Sequence, residues 1–162
     1  MSLDILTEKG QETVKQEAEA VALFTARADG WEWKHTSKKG TAIVDGLLFK
    51  DGVLSGVVET KCRTCDTETF KNQFRNEWLI TYQKVEDAKR CASLLHVPLY
   101  GFLYLTPSKT LLMEKITDED GQFVCQFRVE QTTTQRTVNG GSAVRSNAFI
   151  SMKNAKEFKD ER

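Results

Sequence analysis

The chain has 162 residues, of which 40% are apolar and 28% charged, the composition of one ordinary globular domain with enough length for a sizeable core. A formal net charge of zero and a pI near 6.7 argue against a protein that coats nucleic acid along its whole surface, but not against one that meets it through a local groove. No run approaches the roughly 20 apolar residues of a membrane span, and no basic-then-apolar leader pattern opens the sequence, so a single cytoplasmic domain over residues 1–162 is expected.

The first element is a helix from about Gln11 to Ala28, stopped by Gly30, with Val14, Ala18, Val21, Phe24 and Ala28 as its apolar stripe. Glu17 falls on that stripe, and Glu19 falls beside it. A short strand from Trp31 leads into a basic loop carrying Lys34, His35, Lys38 and Lys39, a grouping that is either solvated or in contact with phosphates.

The next segment carries the chemistry. Thr41–Phe49 and Val53–Lys61 read as the strands of a hairpin around Asp51-Gly52. Asp45 stands on the first strand and Glu59-Thr60-Lys61 on the second, charges among apolar neighbours that burial would make costly unless they are paired or bind a cation. Side chains alternate along a strand, so Glu59 and Lys61 share a face. A three-residue loop of Asp51, Gly52 and Val53 sets Asp45 opposite Glu59, Leu47 opposite Val57 and Phe49 opposite Ser55. A two-residue loop would set Asp45 opposite Val58 and send the carboxylates to opposite faces. Two carboxylates and a lysine at one spot suit metal-assisted phosphodiester hydrolysis, so the chemistry favours the wider register. The competing reading is an edge strand with its charges in solvent.

Beyond a polar loop, Phe70 to Leu95 reads as one long helix with Trp78, Thr81, Val85, Ala88, Ala92 and Leu95 inward. Leu99–Leu105 is a continuous apolar run of the kind buried in mid-sheet. Strands follow at Leu111–Lys115 and Phe123–Val129, then a loop over Gln131–Ser146 carrying Arg136 and Arg145, a strand at Ala148–Met152 and a short helix at Asn154–Lys159. Cys62, Cys65, Cys91 and Cys125 are expected to be free thiols, because Cys62 and Cys65 lack the second close pair that a zinc or cluster site usually shows.

The order of elements, with Asp45 ahead of a turn and Glu59-x-Lys61 ahead of a helix, resembles the PD-(D/E)XK nuclease superfamily over about residues 10–106. The stretches Ile43–Leu47 and Val58–Cys62 are similar to the lambda-exonuclease and YqaJ-like group and to archaeal Holliday junction resolvases, with Val44 in place of the motif's proline. The resemblance implies a restriction-endonuclease-like α/β sandwich, a small central mixed sheet flanked by helices. It also implies a Mg2+- or Mn2+-dependent deoxyribonuclease of phage-type recombination, replication or repair. Asp45, Glu59 and the Thr60 carbonyl would hold the metal, with Glu17 or Glu19 from the first helix. Lys61 would act on the attacking water, with Gln83 or Lys84 beside it. Lys34, Lys38, Lys39, Arg63 and Lys84 would contact DNA, duplex or single-stranded, and a homo-oligomer or a recombination partner protein is compatible with such a role. The alternatives are a catalytically silent DNA-binding or recombination-accessory module on the same scaffold, and a small α/β interaction protein.

Overall fold

The computed structural model describes residues 8–36, 42–133 and 144–159. Helix α1 (Glu8–Arg27) ends before Gly30, whose φ of 79° lies in the left-handed region where glycine carries no steric penalty, and the chain turns there into β1 (Trp31–His35). Next come β2 (Gly46–Lys50), β3 (Val53–Arg63) and a short helix α2 (Thr67–Asn72), which Asp66 caps by accepting a 2.7 Å hydrogen bond from the Thr69 amide. Then follow β4 (Glu77–Thr81), α3 (Tyr82–Leu94), β5 (Leu99–Leu105), β6 (Thr110–Thr117), β7 (Phe127–Thr133), β8 (Val144–Ser151) and β9 (Lys156–Lys159).

Six strands form the main sheet in the order β1-β2-β3-β5-β6-β9, mixed because β3 and β5 run parallel while the other neighbours are antiparallel. Strands β4, β8 and β7 form a second, antiparallel sheet. One face of the main sheet packs against α1 through Ala20, Phe24, Trp33, Leu48, Val58, Phe102 and Phe158. The other packs against α3 and the small sheet through Val57, Leu99, Leu103, Trp78, Val85, Ala88 and Ile150. The protein is therefore mixed α/β, with helices flanking a sheet larger than expected and part of one flank supplied by the strands of the second sheet. Among the described residues, no helix is long and apolar enough to cross a membrane.

The long helix expected over residues 70–95 is instead α2, β4 and α3. Arg75 and Asn76 both adopt left-handed backbone, with φ of 55° and 57°, and break the helix. From there Trp78 and Ile80 point inward and Leu79 outward, the two-residue period of a strand. Only Val85, Ala88 and Ala92 of the expected stripe are buried on a helix. Helix α1 is rotated relative to its predicted stripe: Val14 is 41% exposed, and Ala20 and Phe24 face the sheet. The helix expected at Asn154–Lys159 is the edge strand β9, paired to β6, and residues 131–133 and 144–146 of the expected loop lie in β7 and β8. Phe123 makes only an isolated bridge to Thr117, so β7 begins four residues later than expected.

Candidate active site

The hairpin reconciles the two registers considered above. Lys50 pairs with Val53, so the loop is the tight Asp51-Gly52 pair, both with positive φ (49° and 82°) as a primed hairpin turn requires. A bulge between Leu48 and Phe49 then shifts the ladder by one residue, so Leu47 meets Val57 and Gly46 meets Val58. Phe49 meets Leu54 rather than Ser55. The expected three-residue loop is absent, but the bulge restores the register that brings Asp45 level with Glu59.

Asp45 itself precedes β2, one residue beyond the last paired position. Its amide donates to the Val58 carbonyl (3.0 Å), and its own carbonyl accepts from the Thr36 amide (3.1 Å) and from Thr36 Oγ1 (3.0 Å). With no β2 carbonyl opposite it, the Thr60 amide donates instead to Asp45 Oδ2 at 2.8 Å, which satisfies a backbone donor and fixes the carboxylate over β3. Gly46 lets this corner close, because a Cβ there would lie 2.3 Å from Trp33 Nε1.

Glu59 is only 1% exposed. Lys84, in the first turn of α3, places Nζ 3.4 Å from Glu59 Oε2, but neither carboxylate oxygen has a hydrogen bond of good geometry among the described residues. Burial, and then the neighbouring Asp45 carboxylate, push the Glu59 pKa up to about 8, while Lys84 opposes the rise. Lys61 is held below the usual lysine range by burial, with Lys84 and Arg63 adding to the effect and Asp45 and Glu59 opposing it. Asp45, Glu59, Lys61 and Lys84 thus form one electrostatic cluster where β2, β3 and α3 meet.

The sequence pattern did not reveal Trp78 as a neighbour of this cluster. Gly101 pairs with Glu59 in the sheet, and the Trp78 ring fills the space above it, 2.4 Å from where a Cβ would stand. The signal was the glycine inside an otherwise bulky strand, which marks close approach by another group.

Other expected site residues lie elsewhere. Gln83 is exposed and donates to Asp87 Oδ1 at 3.0 Å, along the outer surface of α3. Glu17 and Glu19 both act electrostatically on Cys62, whose side chain shares the α1-facing side of β3 with Val58, opposite to Glu59. Glu17 is half-buried there, and Glu19 accepts a 3.3 Å hydrogen bond from the Tyr104 hydroxyl. Lys34, on β1, pairs with Glu32 at 3.9 Å and lies over the Phe49 ring. Arg63 lies two residues beyond Lys61 and reaches the Leu79 carbonyl at 3.4 Å. Lys38, Lys39 and Arg136 lie outside the described residues; Arg145, on β8, is exposed. All four cysteines are free thiols, with burial pushing Cys62 up to about 12 and Cys125 up to about 11.

Among the described residues, no three His, Cys, Asp or Glu side chains converge as a ready-made metal cage. The donor set that does converge suits a hard cation of the magnesium type, which uses one or two carboxylates and completes its shell with carbonyls, water and substrate oxygens. Two buried carboxylate oxygens lacking a well-formed hydrogen bond are the group for which such a cation would compensate. A scan against protein-family models finds no family that matches the chain, and a search of curated proteins finds no match to it.

Proposed function

We propose that this chain is a Mg2+- or Mn2+-dependent deoxyribonuclease on a restriction-endonuclease-like scaffold of the PD-(D/E)XK kind, acting in DNA recombination, replication or repair. One observation carries the proposal: a glutamate buried to 1% exposure lies level with Asp45, with Lys61 on its own face of the strand. A packed core has no structural use for that combination, because each isolated charge costs several kcal/mol to desolvate.

Asp45 and Glu59, with the Thr60 carbonyl, would hold the ion. When bound, it would lower the pKa of a coordinated water and neutralise charge on the phosphate. Lys61 would hold the attacking water in line and, as an ammonium, stabilise the charge that develops on the scissile phosphate's oxygens. Lys84 would keep Glu59 in place and, when the carboxylate engages the ion, be free to meet a phosphate. Thr60 would fix Asp45 through its amide, so that the carboxylate is oriented before substrate arrives.

Incubation of linear, circular and single-stranded DNA with Mg2+ or Mn2+ tests the reading. Cleavage that is lost in Asp45→Ala and Lys61→Ala supports it, and absence of cleavage on every substrate overturns it. A silent accessory module is favoured by one observation, that Lys84 already supplies a cation to Glu59. Such a module would bind DNA without taking up Mn2+ at Asp45.

A further inference from the structure

A cleft of about 620 Å3 opens beside Arg63, two residues along β3 from Lys61 and on the same face of the strand, a rise of about 7 Å. It runs between the end of β3, the turn after α2 and the outer face of the small sheet. Its walls carry Arg63, Phe74, Arg75, Leu79, Arg128 and Phe149. Three arginines face one acid, Glu77, so the lining is positive in a chain whose formal net charge is zero. The arginines differ in state. Arg128 is held by Glu77 at 2.9 Å and by Glu130, and its guanidinium lies 4.0 Å above the Phe149 ring. Arg63 and Arg75 have no carboxylate partner among the described residues, and Arg63 makes only two long contacts, both 3.4 Å, to backbone carbonyls.

Phe74 is 52% exposed and Leu79 43% exposed, beside these two arginines. An exposed aromatic ring next to unpaired guanidinium groups matches the needs of one ligand chemistry, a base to stack and a phosphate to neutralise. A paired base cannot supply the first, because both its faces are covered within the duplex. We infer that this cleft takes an unpaired nucleotide of a single-stranded DNA segment, stacked on Phe74 with its phosphates on Arg63 and Arg75, as the strand passes the Lys61 site. The inference rests on the nuclease reading for its choice of DNA, and it makes single-stranded DNA or frayed ends the substrate class.

The test is a binding titration of the full chain in Ca2+ with a 12-nucleotide single strand carrying 2-aminopurine, set against a blunt duplex of the same sequence. Wild type is expected to bind the single strand more tightly and to change the probe's fluorescence as the base stacks. Phe74→Ala should weaken single-strand binding by about 5- to 100-fold and lower the ratio of single-strand to duplex affinity. Arg75→Gln should flatten the salt dependence by about 0.7 in log–log slope. Leu94→Ala removes an even more exposed apolar side chain (82%) outside the cleft and should change neither quantity. Phe74 is exposed enough for its truncation to leave the melting temperature unchanged, which is measured alongside. Equal single-strand affinity in wild type and Phe74→Ala, or preference of wild type for the duplex, overturns the inference. Phe74-dependent binding without cleavage in Mg2+ or Mn2+ would retain the cleft and remove the nuclease; cleavage indifferent to Phe74 would do the reverse.

Discussion

Lys84 Nζ stands 3.4 Å from Glu59 Oε2, so the first turn of α3 supplies the cation to a carboxylate that β3 buries. The contact joins two elements that a strand-only view of the hairpin would treat separately. It also makes the charge state of Glu59 depend on how α3 docks.

Removing that cation should expose the cost of the buried charge. Lys84→Ala is expected to destabilise the metal-free protein by about 1–2 kcal/mol at pH 9, less than a fully buried pair would lose because the lysine side chain is 38% exposed. At pH 6, where Glu59 carries its proton, the loss should shrink. Denaturant melts at the two pH values measure the difference, and an equal loss at both would show that Lys84 contributes only packing.

Glu59→Gln should act in the opposite sense. A carboxyl whose folded pKa of about 8 lies above its ordinary value of 4.5 binds its proton more tightly when folded, so it favours folding most below pH 4.5. That contribution declines as pH rises through the window and is gone above about 8. The glutamine cannot ionise. Its melting temperature should match wild type near pH 4 and exceed it by several degrees at pH 9, in the absence of divalent metal.

Metal affinity should follow the same proton. Isothermal titration with Mn2+ is expected to show binding by wild type and little by Asp45→Ala, with the wild-type affinity rising up to about pH 8. Titrations at pH 7 in buffers of different ionisation heat should reveal a released proton, absent at pH 9. Undiminished binding by Asp45→Ala would remove that carboxylate from the metal site.

Lys61 is assigned to chemistry rather than to folding. Lys61→Ala should lower the cleavage rate on the order of 10²-fold or more while Mn2+ affinity and melting temperature change little. Lys61→Arg should fail to restore the rate, since a planar fork does not replace a compact ammonium beside the like charges of Lys84 and Arg63. Activity within a few-fold of wild type in Lys61→Ala would give the lysine another role.

How much of this was legible in the amino-acid order depends on the range of the interactions involved. The hairpin was legible, since Asp51-Gly52 is a local turn signal and alternation puts Glu59 and Lys61 on one face. The core strand Leu99–Leu105 was legible for the same reason, as a run too apolar to lie anywhere but mid-sheet. The bulge at Leu48 and Phe49 was not, because a one-residue shift leaves no mark in composition and is selected by the packing of both strands. The break at Arg75 and Asn76 was hidden too: Trp78, Val85 and Ala88 fit a helical period as well as a strand followed by a helix, and only the second sheet, closed by β8 from some 70 residues further on, chooses between them. The candidate site divides along the same line. Asp45, Glu59 and Lys61 are brought together by local pairing, whereas Lys84, Trp78 and the exclusion of Gln83 depend on how α3 and β4 lie across the sheet, a long-range relation set by burial rather than by any neighbouring residue.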